Sequence, residues 1–252
     1  MVEQVLSAGC AVKVLARDPR HLGSWASRVE VHTGDALRDP QLAEAMRGAR
    51  AVFSSVGASV QPSLGAGRRG YASVDVPANL RLIEAAKEAG VPRFVYVSLV
   101  QTPKASATAY VRAHEAIVAA LRSSTLDWWG AAPTNPIADE DLAKLACEQL
   151  RRETIDEREL AIGGPETITR RRIAELACEA VGRGTTMGMP ESIGHIMAFL
   201  IRPLSPRMSD LLRFVLAVGA EDAIGPARGT TTLAETFAKA MAQRRGARSL
   251  SS

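Results

Sequence analysis

The sequence has few cysteines and no long apolar run, and each shortage excludes a class of protein. Its three cysteines, Cys10, Cys147 and Cys178, lie far apart and form no CxxC pair. That pattern argues against a zinc site and against a disulfide-stapled secreted fold. No apolar run reaches the roughly 18 residues of a membrane span, and the first residues lack a signal-peptide pattern. We therefore expect a cytoplasmic protein with reduced thiols, no metal site and no membrane contact.

An excess of charge of one sign is also nearly absent. The formal net charge is only +4, and much of it lies in two arginine clusters, residues 170–172 and the region 244–248. Such clusters are more typical of a solvated face than of a nucleic-acid surface. The chain has 252 residues and is 46% hydrophobic, enough for one α/β domain with a smaller appended part.

The most informative stretch runs from Val74 to Ser98. Apolar residues recur there at helical spacing, and Gly90 and Pro92 predict the end of the helix. The run from Phe94 to Val97 is typical of a strand covered on both faces. Ser98 follows this strand, at the end where open α/β sheets bind ligands. The residues assigned to the apolar helix face are Leu80, Ile83, Ala86 and Ala89.

The same alternation of strand and helix recurs along the chain. Strands are predicted over residues 11–16, 29–35 and 51–57, and a helix is expected to begin after Asp39 and Pro40. Thr169 is predicted to cap a further helix, and residues 193–200 and 211–218 are apolar helical segments. We predict an α/β fold with an open, mostly parallel sheet and a helical C-terminal part. The expected divisions are a dinucleotide-binding domain over 1–164, a helical extension over 165–245 and a disordered tail over 246–252.

Several motifs resemble one family. The segment ANLRLIEAAKEAGVPRFVYVS and the later GGPETITRRRIAELA are similar, in the same order, to segments of the NmrA-like, atypical short-chain dehydrogenase/reductases that bind NAD(P)H. The resemblance implies a Rossmann-type fold, an NADP cofactor with NAD as the alternative, and oxidoreductase activity on a carbonyl or quinone-like small molecule. The alternative is a non-catalytic NADP(H)-sensing regulator or protein-binding module.

Two departures from the family pattern stand out. The sequence begins inside the first helix, so the first strand and its G-x-x-G-x-x-G turn are not in it. Because that turn presents backbone N–H groups to the pyrophosphate, we expect weak NADP(H) binding and an incomplete sheet whose open edge favours homo-oligomers. We also predict that the reading frame upstream of Met1 encodes the strand and turn. The second departure follows Trp129: the strand and pocket loop that the family has there are predicted to be absent from this chain. We also predict that one of Trp128 and Trp129 is partly exposed.

The resemblance implies a set of cofactor-binding residues at the ends of the predicted strands. Arg17 would meet the ribose 2′-phosphate of NADP, since guanidinium matches phosphate bidentately; a surface arginine before a turn is the alternative. Asp35 would contact the adenine amino group, or else serves only as a turn aspartate. Small residues let a cofactor pass close to the backbone. The remaining candidates are Ser55, Val56, Gly57 and Ser98.

Tyr110 and His114 occupy the positions of the Tyr-x-x-x-Lys pair of short-chain dehydrogenases. One helical turn separates them, so both project to the same side. The resemblance implies that Tyr110 transfers the substrate proton. His114 would be a weaker electrostatic partner than lysine, because it is charged only at low pH. The alternative is a tyrosine that only packs at the rim of the site. His195 has no second ligand at metal spacing and is interpreted as a packed or surface residue.

Overall fold

The structure, a computed structural model, describes residues 1–57, 70–99, 101–133, 135–155, 158–182, 184–186, 188, 190–221 and 224–249. Strands and helices alternate through most of the chain, as predicted. The strands are β1 (Lys13–Ala16), β2 (Glu30–Thr33), β3 (Ala51–Ser54), β4 (Arg93–Val97), β5 (Asp127–Pro133) and β6 (Glu159–Ile162). The helices are α1 (Val2–Ser7), α2 (Leu42–Met46), α3 (Asp75–Glu88), α4 (Pro103–Ser106), α5 (Ala109–Arg122), α6 (Asp139–Arg151), α7 (Arg170–Val181), α8 (Glu191–Ile201), α9 (Pro206–Gly219) and α10 (Leu233–Ser249). Two 3₁₀ segments span Pro19–Trp25 and Tyr71–Ser73.

The strands form two sheets whose pairs are all parallel. One sheet contains β1 and β2, and the other has the order β3-β4-β5-β6. A doubly wound fold has the strand order 3-2-1-4-5-6, and without the central strand 1 it divides into the pair 3-2 and the run 4-5-6. The two sheets follow this division, with β6 as one further strand at the far edge of the larger sheet. Leu15 of β1 and Val52 of β3 pack against the same core cluster, so the two sheets share one core. The prediction of an α/β fold with an incomplete parallel sheet is therefore confirmed.

Residues next to the interruption are only half-buried. Val52 and Phe53 of β3 are partly exposed, and α1 has no buried residue. In β4, which is paired on both edges, Phe94 and Val95 are fully buried. A strand with a neighbour on each edge is shielded better than one beside an open edge.

The helix–strand stretch around Gly90 follows the prediction with one correction. Gly90 adopts φ +68° directly after α3, a left-handed conformation that glycine adopts without steric cost. Leu80, however, is 38% exposed, so its assignment to the apolar face was wrong. The buried face of α3 passes instead through Ala78, Asn79 and Leu82, because the asparagine side chain has hydrogen-bond partners inside the fold.

The predicted loss of a strand after Trp129 was also wrong. β5 spans that position and pairs with β4 on one side and β6 on the other. Trp128 and Trp129 are 1% and 0% exposed, so the prediction that one of them is partly exposed fails as well. Successive strand residues point to opposite faces, and each face of β5 has its own cover: Trp128 packs in one core cluster and Trp129 in the other.

Smaller differences concern element ends. α2 begins at Leu42, and Asp39 accepts a hydrogen bond from the backbone N–H of Gln41 at 2.8 Å instead of capping a longer helix. The short helix α4 lies between β4 and α5 and is capped by Thr102, which accepts from the backbone N–H of Ala105. Thr169 caps α7 as predicted, accepting from the N–H of Arg172. α10 continues to Ser249, and residues 250–252 of the tail predicted from residue 246 lie outside the described residues. Among the described residues no helix is both long and apolar enough to cross a bilayer.

Candidate cofactor and active site

The carboxyl ends of β3 and β4 lie side by side, because these strands are parallel and pair Ser54 with Tyr96. Ser55, Val56 and Gly57 follow β3 and are exposed, whereas Ser98 follows β4 and is buried. The predicted cofactor residues after these two strands are thus brought to one edge of the sheet.

A buried asparagine holds the turn after β3. The Oδ1 atom of Asn79 accepts a hydrogen bond from the Ser54 hydroxyl at 2.6 Å. Its Nδ2 atom donates to the carbonyl oxygens of Val56 at 2.9 Å and Asp75 at 2.8 Å. These bonds join the end of β3 to the first turns of α3. The sequence prediction missed Asn79, although a polar residue inside an apolar helix pattern was the available signal.

Gly57 faces the start of α3 closely. A Cβ atom at this position would lie 3.2 Å from the Oδ2 atom of Asp75, so a larger residue would press on a buried carboxylate. Asp75 is itself 2% exposed. The turn therefore presents exposed backbone on one side and packs against a buried acid on the other.

Arg81 connects this edge to the end of the two-stranded sheet. Its Nε atom donates to the carbonyl oxygen of Ala36 at 3.0 Å, and its Nη2 atom donates to that of Asp39 at 2.5 Å. Ala36 and Asp39 follow β2, while Asn79 on the same helix binds the turn after β3. The carboxyl ends of both sheets therefore adjoin the first half of α3.

Arg17 and Asp35 lie at the ends of β1 and β2 as predicted. Arg17 is exposed, and its neighbour Asp18 is already paired with Arg20 at 2.8 Å. Asp35 is partly buried and accepts a hydrogen bond from the backbone N–H of Leu37 at 2.9 Å, an Asx turn. This hydrogen bond agrees with the interpretation of Asp35 as a turn residue. The contact between Asp35 and adenine stays a prediction.

The proposed catalytic pair lies at the start of α5, which Thr108 caps. The rings of Tyr110 and His114 meet edge to face, with centroids 5.0 Å apart. His114 nevertheless forms its hydrogen bond with another tyrosine, because its Nδ1 atom lies 2.7 Å from the hydroxyl oxygen of Tyr96. The sequence prediction did not include Tyr96, which lies within the apolar run of β4.

Burial controls the protonation of this cluster. It lowers the pKa of His114 to about 4, so the imidazole is neutral at physiological pH. Burial, together with the negative charge of Asp75, raises the pKa of Tyr110 to about 12. Tyr110 therefore stays protonated at neutral pH, and it can donate a proton or a hydrogen bond but does not act as a base.

Two further rings enclose Tyr110. The ring of Tyr71, which precedes α3, lies 4.2 Å from it between centroids, and Phe214 of α9 meets it edge to face at 5.1 Å. Tyr110 itself is partly exposed, whereas Tyr71 is buried. The C-terminal helix α9 thus covers one side of the site. The sequence prediction named neither ring, since no local pattern connects three residues so far apart.

No metal site is found in the described part of the chain, which contains no group of three or more histidine, cysteine or acidic side chains able to hold an ion. His195 is exposed, and its Nε2 atom lies 3.4 Å from the Oε1 atom of Glu191, in agreement with its interpretation as a surface residue.

Comparison with solved structures shows the same fold in several enzymes. A nucleoside-diphosphate-sugar epimerase from Staphylococcus aureus has a TM-score of 0.70 at 14% identity, with 94% of each chain covered. The Citrobacter sp. triphenylmethane reductase in complex with NADP(H) has a TM-score of 0.67 at 17% identity, covering 95% of this chain and 94% of that one. An NADPH-dependent quinone oxidoreductase from Escherichia coli in complex with NADPH has a TM-score of 0.66 at 18% identity, with the same coverage. At these identities the likeness establishes the fold alone.

Sequence comparison is informative at the level of the family. No curated protein sequence matches the chain. The model of a family described as NAD(P)H-binding matches residues 1–183, which is most of the chain and includes the strand ends, the turn after β3 and the Tyr110 cluster. The chain therefore belongs to the NAD(P)H-binding family.

Proposed function

We propose that this protein binds NADP(H) and reduces a carbonyl or quinone-like substrate, with Tyr110 as the proton donor. The observation that carries the proposal is the position of Tyr110: it is a partly exposed phenol at the start of α5, with the ring of His114 one helical turn away, in a chain of the NAD(P)H-binding family. A bound nicotinamide would supply the hydride. The chain's own part is to hold the substrate oxygen and to provide its proton.

The cofactor would lie along the carboxyl ends of the strands. Arg17 would bind the 2′-phosphate, and Asp35 would contact the adenine. Ser55, Val56, Gly57 and Ser98 would line the rest of the site. Arg17 favours NADP over NAD, because its guanidinium is exposed and the neighbouring carboxylate of Asp18 is held by Arg20. Two of the structural neighbours were solved with NADP(H) or NADPH, in agreement with this preference.

The environment of Tyr110 favours a quinone-like substrate over a simple ketone. Short-chain dehydrogenases place a lysine where this chain has His114, and a neutral imidazole does not lower the pKa of the phenol. Hydride addition to a quinone yields an oxygen anion that is delocalised over an aromatic ring, so it depends less on a proton from Tyr110 as it forms than the localised alkoxide made from a ketone does. One of the neighbours is described as a quinone oxidoreductase.

The non-catalytic alternative draws support from the same cluster. His114 is neutral and hydrogen-bonded to Tyr96, so the position that lysine occupies in the resembling enzymes carries no positive charge here. A protein that binds NADP(H) and reports its presence to a partner would not need one.

NADPH consumption separates the two functions. We expect turnover with at least one compound of a panel of quinones and aromatic carbonyls. The variant Tyr110→Phe, which keeps the ring contacts with Tyr71 and Phe214, should lose roughly 10²-fold or more in kcat. Its affinity for NADPH, measured by fluorescence titration, should not change. Binding of NADPH without turnover of any compound would favour the sensing role, and undiminished turnover in Tyr110→Phe would exclude Tyr110 as the donor.

A further inference from the structure

Tyr71 combines complete burial with a position beside the proposed proton donor. It begins the 3₁₀ turn Tyr71–Ser73 that leads into α3 and is 1% exposed. Its ring lies against that of Tyr110, with centroids 4.2 Å apart. Tyr110 in turn is partly open to solvent, so a ligand that reaches Tyr110 comes within a ring's width of Tyr71.

The hydroxyl of Tyr71 has no hydrogen-bond partner among the described residues. A buried hydroxyl without a partner costs free energy, and such groups in native folds call for an explanation. The indole N–H groups of Trp128 and Trp129 are also unpaired, but these rings fill the two core clusters and are held there by apolar packing. Tyr71 belongs to neither cluster and lies at the site.

Charged groups from two elements surround the phenol. Asp75 of α3 and Asp210 of α9 favour its neutral form, and Arg207 of α9 opposes them; burial has the largest effect and raises the pKa well above its usual range. The hydroxyl is therefore protonated at every physiological pH. It can always donate a hydrogen bond, and what it lacks is an acceptor.

We propose that the Tyr71 hydroxyl donates a hydrogen bond to the same substrate oxygen that Tyr110 protonates, so that two phenols bind one acceptor. This inference rests on the proposed function and adds a second binding group to it. Two neutral donors on one oxygen select a ligand with a carbonyl-type acceptor. The aromatic rings of Tyr110 and Phe214 select a flat, apolar body next to it. Tyr71 transfers no proton in this scheme, and no bond other than the hydrogen bond changes.

The test compares Tyr71→Phe with a matched variant, Tyr96→Phe. Each removes one buried hydroxyl from one tyrosine, but the hydroxyl of Tyr96 is hydrogen-bonded to His114 and that of Tyr71 is not. Without ligand, Tyr96→Phe should lower the thermal unfolding midpoint, whereas Tyr71→Phe should leave it unchanged or raise it. In Tyr71→Phe the affinity for NADPH should be unchanged, and the KM for 1,4-naphthoquinone should rise roughly tenfold.

Binding of 1,4-naphthoquinone separates this inference from the proposed reaction. Equilibrium dialysis in the presence of NADP⁺ measures its affinity even if no turnover exists. Weaker binding in Tyr71→Phe would support the inference even if the wild type proved inactive. Equal affinity in the wild type and Tyr71→Phe would overturn it while leaving the role of Tyr110 intact. A lower unfolding midpoint in Tyr71→Phe with unchanged KM would also overturn it, because the hydroxyl would then be structural. No binding to the wild type would overturn both.

Discussion

The four-stranded sheet and the two-stranded sheet of this protein are buried to different degrees. Phe94, Val95 and Tyr96 of β4 are all at most 1% exposed. Neither β1 nor β2 contains a fully buried residue, and the adjacent helix α1 contains none. β2 (EVHT) is more polar than the other strands, but β1 (KVLA) and β4 (RFVYV) are both largely apolar and parallel, so composition alone does not explain the contrast between these two. The neighbouring elements explain it: β4 has a strand on each edge and helices on its faces, whereas β1 is paired on one edge only within the part of the chain that the structure describes. Burial in a parallel sheet therefore depends on the neighbouring strands as much as on the strand's own side chains.

The largest expected effect is a difference in core substitutions between the two sheets. Phe94→Ala should lower the free energy of unfolding by about 3–5 kcal/mol, because the ring is fully buried and its removal leaves a cavity. Leu15→Ala in β1 should cost about 1 kcal/mol, since that side chain is already partly exposed. Urea denaturation of both variants measures the contrast. Equal costs would show that the two-stranded sheet is as tightly packed as the other.

The two regions should also lose stability in different pH ranges. The pKa of His114, beside β4, is lowered to about 4 by burial. The unfolded chain thus binds a proton at this residue that the folded chain does not, and stability falls as pH decreases from about 6.5 to about 4, by on the order of 2–3 kcal/mol. Stability curves against pH should be flatter over this interval in His114→Gln. The same slope in the variant would assign the titration to another group.

Asp39, which follows β2, titrates in a lower range. Its hydrogen bond from the backbone of Gln41, and then its contact with His32, lower its pKa. A carboxylate with a depressed pKa stabilises the fold above its unfolded pKa of about 3.9, and this contribution is lost as pH falls through the folded value. Asp39→Asn should therefore reduce the loss of stability below pH about 4. The slope of stability against pH between about 4 and 6.5 should stay unchanged. A change of that slope in Asp39→Asn would contradict the assignment of the two pH ranges to different residues.

The ion pair in the four-stranded sheet should also contribute more to stability than the one in the two-stranded sheet. Arg93 at the start of β4 pairs with Asp127 at 2.9 Å and also donates to the carbonyl oxygens of Gln149 and Arg152. Arg93→Ala would leave these acceptors unpaired and should lower the free energy of unfolding by about 2 kcal/mol. Lys13 and Glu30 join β1 to β2 at 3.1 Å with both side chains well exposed, so Lys13→Ala should cost at most about 0.5 kcal/mol. Denaturation in low and high salt checks both values, and only the exposed pair should respond strongly to salt.

The last comparison concerns the affinity for the cofactor, which would contact both sheets. Arg17→Gln should weaken NADP(H) binding by roughly tenfold, because an exposed guanidinium–phosphate contact is worth about 1–2 kcal/mol. NAD(H) lacks the 2′-phosphate, so its affinity should not change. Titration with both dinucleotides measures the ratio, and Arg20→Gln is the control because that arginine is engaged by Asp18. Equal losses for both dinucleotides would exclude contact with the 2′-phosphate.

The sequence by itself determined the elements that depend on contiguous residues. The strand–helix alternation, the helix end at Gly90, the cap at Thr169 and the parallel α/β class follow from periodicity, from caps and from the conformations that glycine and proline allow. These signals act over a few residues, and the structure reproduces them. The interrupted sheet was also predictable, since strand order in a doubly wound fold follows from chain order.

Only the tertiary structure decided which residues meet. Tyr96 and His114 are 18 positions apart, and Ser54 and Asn79 are 25 apart, so no local pattern connects them. β5 was missed because its apolar run is short and includes Gly130 and Pro133; its pairing with a strand on each side overrides that weak propensity. Leu80 was misplaced for a related reason, because periodicity locates a helix but the packing of Asn79 decides which face turns inward. Tyr71 could be recognised as a candidate binding residue only from its buried hydroxyl beside Tyr110, because whether a polar group has a partner is a property of the folded chain.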